Sequence, residues 1–388
     1  MTRLFPSLSV TGDSLNRTAK RINHRYGSTN RTVHQPTGER VMFGHIQLLL
    51  LLVPFASGWP QRIVQSGQQC RIETNQGEQP SVFVPAAECT TYRERSKNRS
   101  LADQSIVCCP VFQSDPAHCG RLSQNAGVFS FDSREVLLDQ FPWAAVILYH
   151  HNRSVLCSGS LITNHHVLTA AHCFLTSVSD KNASHYRVRL GDWDLVQDDD
   201  CMYVRGQLEC NRQQPIERLV AGIIKHADFK HASRDILHDI ALVRLVQPVE
   251  YGAQIGPACL PPWSTRVPEV GGRNFTAIGW GRTKAFGTVK RKMKIDIRGR
   301  NVSACVVAYG LQSPEVPLIH LCAGGAYRKD LCYGDSGGSL MYREPDRWVQ
   351  VGIVSFGAYN CGTPLPGVYT NVAYYIDWIQ WAVEQLGS

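Results

Sequence analysis

Three stretches of the 388-residue chain carry residues that could act together on a polar bond. "LCYGDSGG", Leu331 to Gly338, sets Ser336 between an acid, Asp335, and two glycines; "LTAAHC" sets His172 after an apolar run; "HDIALVRL" sets Asp239 at the head of another. A serine hydroxyl is a poor nucleophile at neutral pH and needs a base to take its proton, and the imidazole that does so needs an acid to fix its tautomer. His, Asp and Ser in that chain order, about 65 and 100 residues apart, is one of the orders in which such a triad recurs. Gly334, two residues before the serine, can aim its N–H at a developing oxyanion. Taken alone, Gly-Asp-Ser-Gly reads equally well as a polar turn. The case rests on all three stretches together.

Positioning such a set needs a rigid scaffold. Short apolar runs, "WAAVILY", "YRVRL", "IALVRL", "FTAIGW", "WVQVGIVSF" and "GVYTNV", alternate with turn residues and predict an all-β barrel architecture over 130–388. "YYIDWIQWAVEQL" places Ile376, Ile379, Val383 and Leu386 on one helical face, which predicts a C-terminal helix docked on the barrels. The basic stretch Lys290 to Arg300 alternates at Met293, Ile295 and Ile297 and reads as a half-buried strand with Lys292 and Lys294 facing solvent. Ahead of the barrels, Cys70, Cys89, Cys108 and Cys109 fall in a polar stretch, 70–110, too small to fold on an apolar core, so disulfides must hold it. Zinc is the competing reading, but the stretch has no Cys-x-x-Cys pair. Residues 111–129, with Pro116, Gly120 and Gly127, read as a linker.

Composition bounds the setting. Fourteen cysteines with 32 glycines and 20 prolines point to a disulfide-stapled extracellular protein rich in turns. Sequons at Asn16, Asn30, Asn98, Asn152, Asn182, Asn274 and Asn301 agree with a secreted glycoprotein. The apolar run "IQLLLLLVPFASG" is too short to span a bilayer comfortably and ends in small residues, so residues 42–58 read as a signal peptide starting at Met42. Residues 1–41 are then an atypical leader, unstructured or not translated. That leader carries +5 of the chain's net +8, which leaves a nucleic-acid partner little support, and no membrane span is expected.

The three catalytic stretches together resemble the chymotrypsin-like serine proteases over residues 130–388. The resemblance implies two six-stranded antiparallel β-barrels with a C-terminal helix, and His172, Asp239 and Ser336 as catalytic residues. It implies an oxyanion hole from the N–H groups of Gly334 and Ser336. Asp330, six residues before Ser336, matches the acid at the base of a trypsin-like pocket, and Gly357 and Gly367 match pocket walls that admit a long Arg or Lys side chain. Leu331 departs from the small or hydroxyl residue usual there. His165, His166 and His238 have no matching role and read as surface or packing residues. No metal or organic cofactor is needed; the acidic loop from Asp192 to Cys201 is compatible with a calcium ion, as in some relatives, or with a plain surface loop.

The amino-terminal cysteines resemble an arthropod clip domain, with four of that family's six cysteines; the two absent ones are each other's partners. Extending the family pairing implies Cys70–Cys108, Cys89–Cys109, Cys119–Cys259, Cys157–Cys173, Cys201–Cys210, Cys305–Cys322 and Cys332–Cys361, which uses every cysteine. The resemblance also implies protein substrates with Arg or Lys before the cut bond, in a haemolymph cascade such as melanisation or Toll signalling, with upstream proteases and serpins as partners. One expected feature is absent. Relatives are cut before an Ile or Val whose new amine pairs with the aspartate before the nucleophile, here Asp335. Counting back twelve residues from Pro142 lands on Ser130 in "FSFDS", with no basic residue before it and no Ile-Val-Gly-Gly; Arg121 and Arg134 give arms of the wrong length. In this the chain resembles the family's non-catalytic regulatory homologues.

Overall fold

The computed structural model describes residues 66–74, 77–95, 105–122, 136–175, 183–204, 206–211, 213–231, 235–263, 270–280, 282–283, 287–288, 291–325, 335–358 and 363–387. The leader, the signal segment, Ser130, Arg134 and the sequons at Asn16, Asn30, Asn98 and Asn182 lie outside them.

The first unit is a three-stranded antiparallel sheet, β1 (Gln69–Thr74), β2 (Gly77–Pro85) and β3 (Ile106–Pro110), in the order β1-β2-β3, with a short helix α1 (Thr90–Arg95). Its core amounts to Val82, Val84, Cys89 and Cys109. So small an apolar cluster cannot offset the entropy of ordering the chain unaided. The bonds Cys70–Cys108 and Cys89–Cys109 supply the rest. Helix α1 is joined to the C-terminal helix α4 (Ile376–Leu386): the buried Asp377 carboxylate accepts from Thr90 N at 2.9 Å and from Thr90 Oγ1 at 2.7 Å. The segment read as a linker is itself docked at its start. Phe112 N donates to Ile376 O at 3.1 Å, and Cys119 is bonded to Cys259.

Two closed six-stranded antiparallel barrels follow. The first comprises β4 (Ala144–Tyr149), β5 (Val155–Leu161), β6 (His166–Thr169) and β7 (Tyr186–Leu190), then, after a hairpin of β8 (Cys201–Val204) and β9 (Gln207–Cys210), β10 (Ile216–Lys225) and β11 (Ala241–Leu245). Its strands close in the order β10-β11-β6-β5-β4-β7. The second starts with β12 (Asn274–Gly279), passes a ribbon of β13 (Arg282–Thr283) and β14 (Gly287–Thr288), and continues through β15 (Met293–Arg300). Helices α2 (Val302–Tyr309) and α3 (Val316–Ile319) precede β16 (His320–Gly324), β17 (Ser339–Arg343), β18 (Trp348–Phe356) and β19 (Pro366–Asn371). This barrel closes as β12-β15-β16-β19-β18-β17. Closure removes the unpaired strand edges that would otherwise template aggregation. Ile376, Ile379 and Ala382 of α4 are fully buried, and the helix lies on β10 and β11 as its apolar face requires.

One sequence expectation fails here. Lys292 does not face solvent: it is 2% exposed, just ahead of β15, and its backbone N–H donates to Trp193 O at 2.6 Å. That bond draws the side chain inward, toward Asp192, Asp139 and Asp200, where burial lowers the ammonium to about 8 against the pull of those acids. Lys294 sits beside Asp296, 3.3 Å away, and the alternation resumes with Ile297 buried and Asp296 and Arg298 exposed.

Candidate active site

His172 lies in a single helical turn, Ala171–Phe174, directly after β6, and Cys157–Cys173 ties that turn to β5. Asp239 stands two residues before β11, on the same barrel. The two meet twice. His172 N donates to Asp239 Oδ1 at 2.8 Å, and His172 Nδ1 lies 2.7 Å from Asp239 Oδ2. A carboxylate can only accept, so Nδ1 carries the proton and Nε2 is left as the basic nitrogen. The imidazole keeps 19% of its surface open, while the carboxylate has none.

Two residues that sequence reading did not single out complete the acid's surroundings. Ser355 Oγ, at the end of β18, donates to Asp239 Oδ2 at 2.6 Å, and Thr370 Oγ1 of β19 donates to the Asp239 carbonyl at 2.7 Å. Both come from the second barrel. Burial by itself would raise the Asp239 carboxyl, but the charge of His172 and the hydrogen bonds from His172 and Ser355 outweigh it and hold the group below the usual carboxylate range. Ser355 gave no motif signal, being one polar residue at the end of an apolar strand.

Ser336 is delivered from the other side. Its carbonyl accepts from Ser158 N of β5 at 2.8 Å, which pins the serine loop of the second barrel to the histidine side of the first. The glycines after it are required by space. Gly337 has φ +78°, and a Cβ there would lie 2.2 Å from Thr169 Oγ1 and 2.4 Å from Ser158 O. At Gly338 a Cβ would meet Asp335 O at 2.8 Å and Ile278 O at 2.9 Å. Asp335 is 5% exposed. Its carboxylate lies where a side chain at position 279 would stand, 2.1 Å from that Cβ, so only glycine admits it. Asp335, the acid expected to pair with a freed amine, is thus buried in the uncut chain, in the space that Gly279 leaves open.

Of the residues expected to form the pocket, Gly357 and Gly367 face one another, with a Cβ on Gly357 falling 3.9 Å from Gly367 Cα. Asp330, Leu331, Gly334 and the pair Cys332 and Cys361 lie outside the described residues. Among those described, every cysteine is bonded, the remaining bridges being Cys201–Cys210 and Cys305–Cys322.

The acidic loop after β7 has a different character. Arg189 bonds the buried Asp192 and also reaches Asp198 at 2.6 Å and Glu217 at 3.3 Å, while Arg153 and Arg187 join it on Glu217. Arg291 lies 3.2 Å from Asp194. Asp200 spends its two oxygens on Trp193 N and Asp194 N, both at 3.0 Å, and burial raises its carboxyl to about 6. With Lys292 also facing Asp192 and Asp200, the carboxylates of Asp192, Asp194 and Asp198 already have protein cations as partners. The donor set does not fit the metal. The other candidate ligand group among the described residues, Cys157, His172 and Cys173, consists of a disulfide and the site histidine.

Two six-stranded antiparallel barrels, with a His–Asp pair on the first held by hydroxyls of the second and a disulfide-stapled clip-like sheet ahead of them, define a chymotrypsin-like clip-domain protease fold. The chain belongs to the trypsin family, whose model matches residues 132–379. It is 34% identical over 310 residues to CLIP domain-containing serine protease B4 of Anopheles gambiae, covering 77% of this chain and 81% of that one. It is 37% identical to phenoloxidase-activating factor 1 of Holotrichia diomphalia, over 68% of this chain and 72% of the relative. Among solved structures, the Drosophila Grass clip serine protease of the Toll pathway superposes with a TM-score of 0.60 at 26% identity, over 83% of this chain and 99% of that one.

Proposed function

We propose that the protein is a secreted, trypsin-like serine endopeptidase that cuts after Arg or Lys in an arthropod immune cascade of the melanisation or Toll type. The observation that carries the reading is the His172–Asp239 pair, with its protonated Nδ1 and basic Nε2. In this reading His172 takes the Ser336 proton as the hydroxyl attacks the scissile carbonyl, then returns it to the leaving amine, while Asp239 holds the tautomer and balances the imidazolium. The N–H groups of Gly334 and Ser336 receive the oxyanion, and loss of one such donor costs about 3–4 kcal/mol of transition-state stabilisation. Asp330 pairs with the substrate's basic side chain between Gly357 and Gly367. The signal-like run before Gly58 and the bonded cysteines support an extracellular site of action; among the described residues no helix is long and apolar enough to cross a membrane.

A second reading, a regulatory homologue that binds cascade proteins without cutting them, is favoured by one feature, the missing Arg-Ile-Val-Gly-Gly before Pro142. One experiment separates the two. The uncut secreted chain should label poorly with a serine-reactive fluorophosphonate. A version carrying Arg-Ile-Val-Gly-Gly with its Ile at position 130 should gain labelling at Ser336 when trypsin cuts it, lose it with Ser336→Ala, and hydrolyse Arg esters in preference to Phe esters. No labelling of the cut form would establish the regulatory reading.

A further inference from the structure

The segment that presents Asp239 is held in a backbone conformation its residues do not favour. Ile236 has φ +41° and His238 φ +54°. Left-handed backbone is rare for any residue but glycine, more so for a β-branched one, and persists where surrounding contacts over-determine it. Those contacts come from several elements. Leu237 and Lys230 exchange both backbone hydrogen bonds, at 3.0 and 3.2 Å. From the second barrel, His320 Nε2 donates to Ile236 O at 3.1 Å, and Gln312 N donates to Asp235 Oδ1 at 2.7 Å.

His238 itself is the most heavily tied. Nε2 lies 2.8 Å from Glu315 Oε2, so Nε2 carries the proton and donates. Nδ1 then accepts from Tyr375 O–H at 3.1 Å. The ring stacks on His226, with centroids 4.6 Å apart and planes at 9°. Burial holds His238 below its ordinary value, and it holds His226 down at about 3, so both are neutral rings at physiological pH. A neutral His238 with one donor and one acceptor has both satisfied, by the loop ahead of α3 on one side and the segment leading into α4 on the other.

We infer that His238 is a positioning residue for Asp239, its Glu315 and Tyr375 bonds fixing the left-handed corner from which the next residue's carboxylate reaches the backbone N–H and Nδ1 of His172. The inference rests on Asp239 being the triad acid. It makes the first barrel's acid depend on the second barrel's α2–α3 connection, so that the relative seating of the barrels sets the His172–Asp239 geometry.

The test uses the full chain and a readout that needs no turnover, the low-field proton resonance of His172 Nδ1–H. His238→Asn tolerates left-handed backbone but cannot reach Glu315. It should shift or broaden that resonance, and Glu315→Ala should do the same, while Glu315→Gln, which keeps an acceptor, should restore it. In the cut, engineered form, His238→Asn and Glu315→Ala should lower kcat about tenfold with KM unchanged. Tyr375→Phe removes only a hydroxyl, and should move the resonance in the same direction if His238→Asn does not fold. A resonance and kcat unchanged in folded variants, with only the melting temperature lowered, would overturn the inference. Because the resonance requires the His172–Asp239 pair and not Ser336, it decides the role of His238 even if the cut protein never labels.

Discussion

Asp239 and Asp192 both lie on the first barrel with side chains wholly shielded from solvent, and both were legible in the sequence as acids. Around Asp239 the partners are an imidazole, a backbone N–H and a hydroxyl, and the carboxyl is pushed down. Around Asp192 the nearest partner is a full cation, Arg189, with Lys292 beyond it, yet burial prevails and the carboxyl is pushed up. The difference lies in the balance at each group: at Asp239 the charge of His172 and the hydrogen bonds of His172 and Ser355 together outweigh burial, while at Asp192 burial outweighs an arginine whose own hydrogen bonds are divided among three acids. It also separates an acid proposed to act in catalysis from one bonded within a loop.

The sharpest way to break this comparison is Asp239→Asn. The change keeps the shape but lets the imidazole take the wrong tautomer, and kcat of the cut, engineered protein should fall about 10⁴-fold, a magnitude belonging to this triad in general rather than to this structure. A loss under tenfold would mean the His172–Asp239 contact does not govern the reaction. Next in size, Arg189→Met strands Asp192 and leaves Glu217 to Arg153 and Arg187, and should cost about 3 kcal/mol in urea unfolding. Adding Asp192→Asn should recover a large part of it, with labelling at Ser336 in the cut form unchanged. If the single variant unfolds like the parent, the arginine is not the loop's counter-charge. The smallest effect is the calcium response. With Asp192, Asp194 and Asp198 already partnered by protein cations, millimolar calcium or excess chelator should move the melting temperature by less than about 1 °C; a stabilisation of several degrees would mean the loop binds the ion after all.

The barrel fold was readable because its strands announce themselves as short apolar runs between turns, and because His172, Asp239 and Ser336 each sit in a distinctive local context. What was not readable depends on contacts between strands far apart in sequence. Ser355 reaches Asp239 across 116 residues, and nothing around it marks it as different from any polar residue ending a strand. Lys292 misled for the same reason. Period-two alternation assigns a face within one strand, but the three acids that face Lys292 belong to another barrel, and alternation carries no information about them. His238, read from sequence as packing or surface, packs indeed, but its bonds run to α3's approach and α4's, neither of which a linear reading could bring to Asp239.

The neighbouring cysteines of β3 have a consequence for how the small sheet finds its shape. Successive strand residues point to opposite faces, so Cys108 and Cys109 cannot share a partner layer. Cys109, fully buried, engages Cys89 at the foot of α1, while the half-exposed Cys108 engages Cys70 on β1. Exchanging those partners would require β3 to slip by one residue against β2, which would turn its inward residues out and its outward residues in. A shuffled isomer therefore carries its own penalty in exposed apolar surface, and the module proofreads its oxidation through strand register.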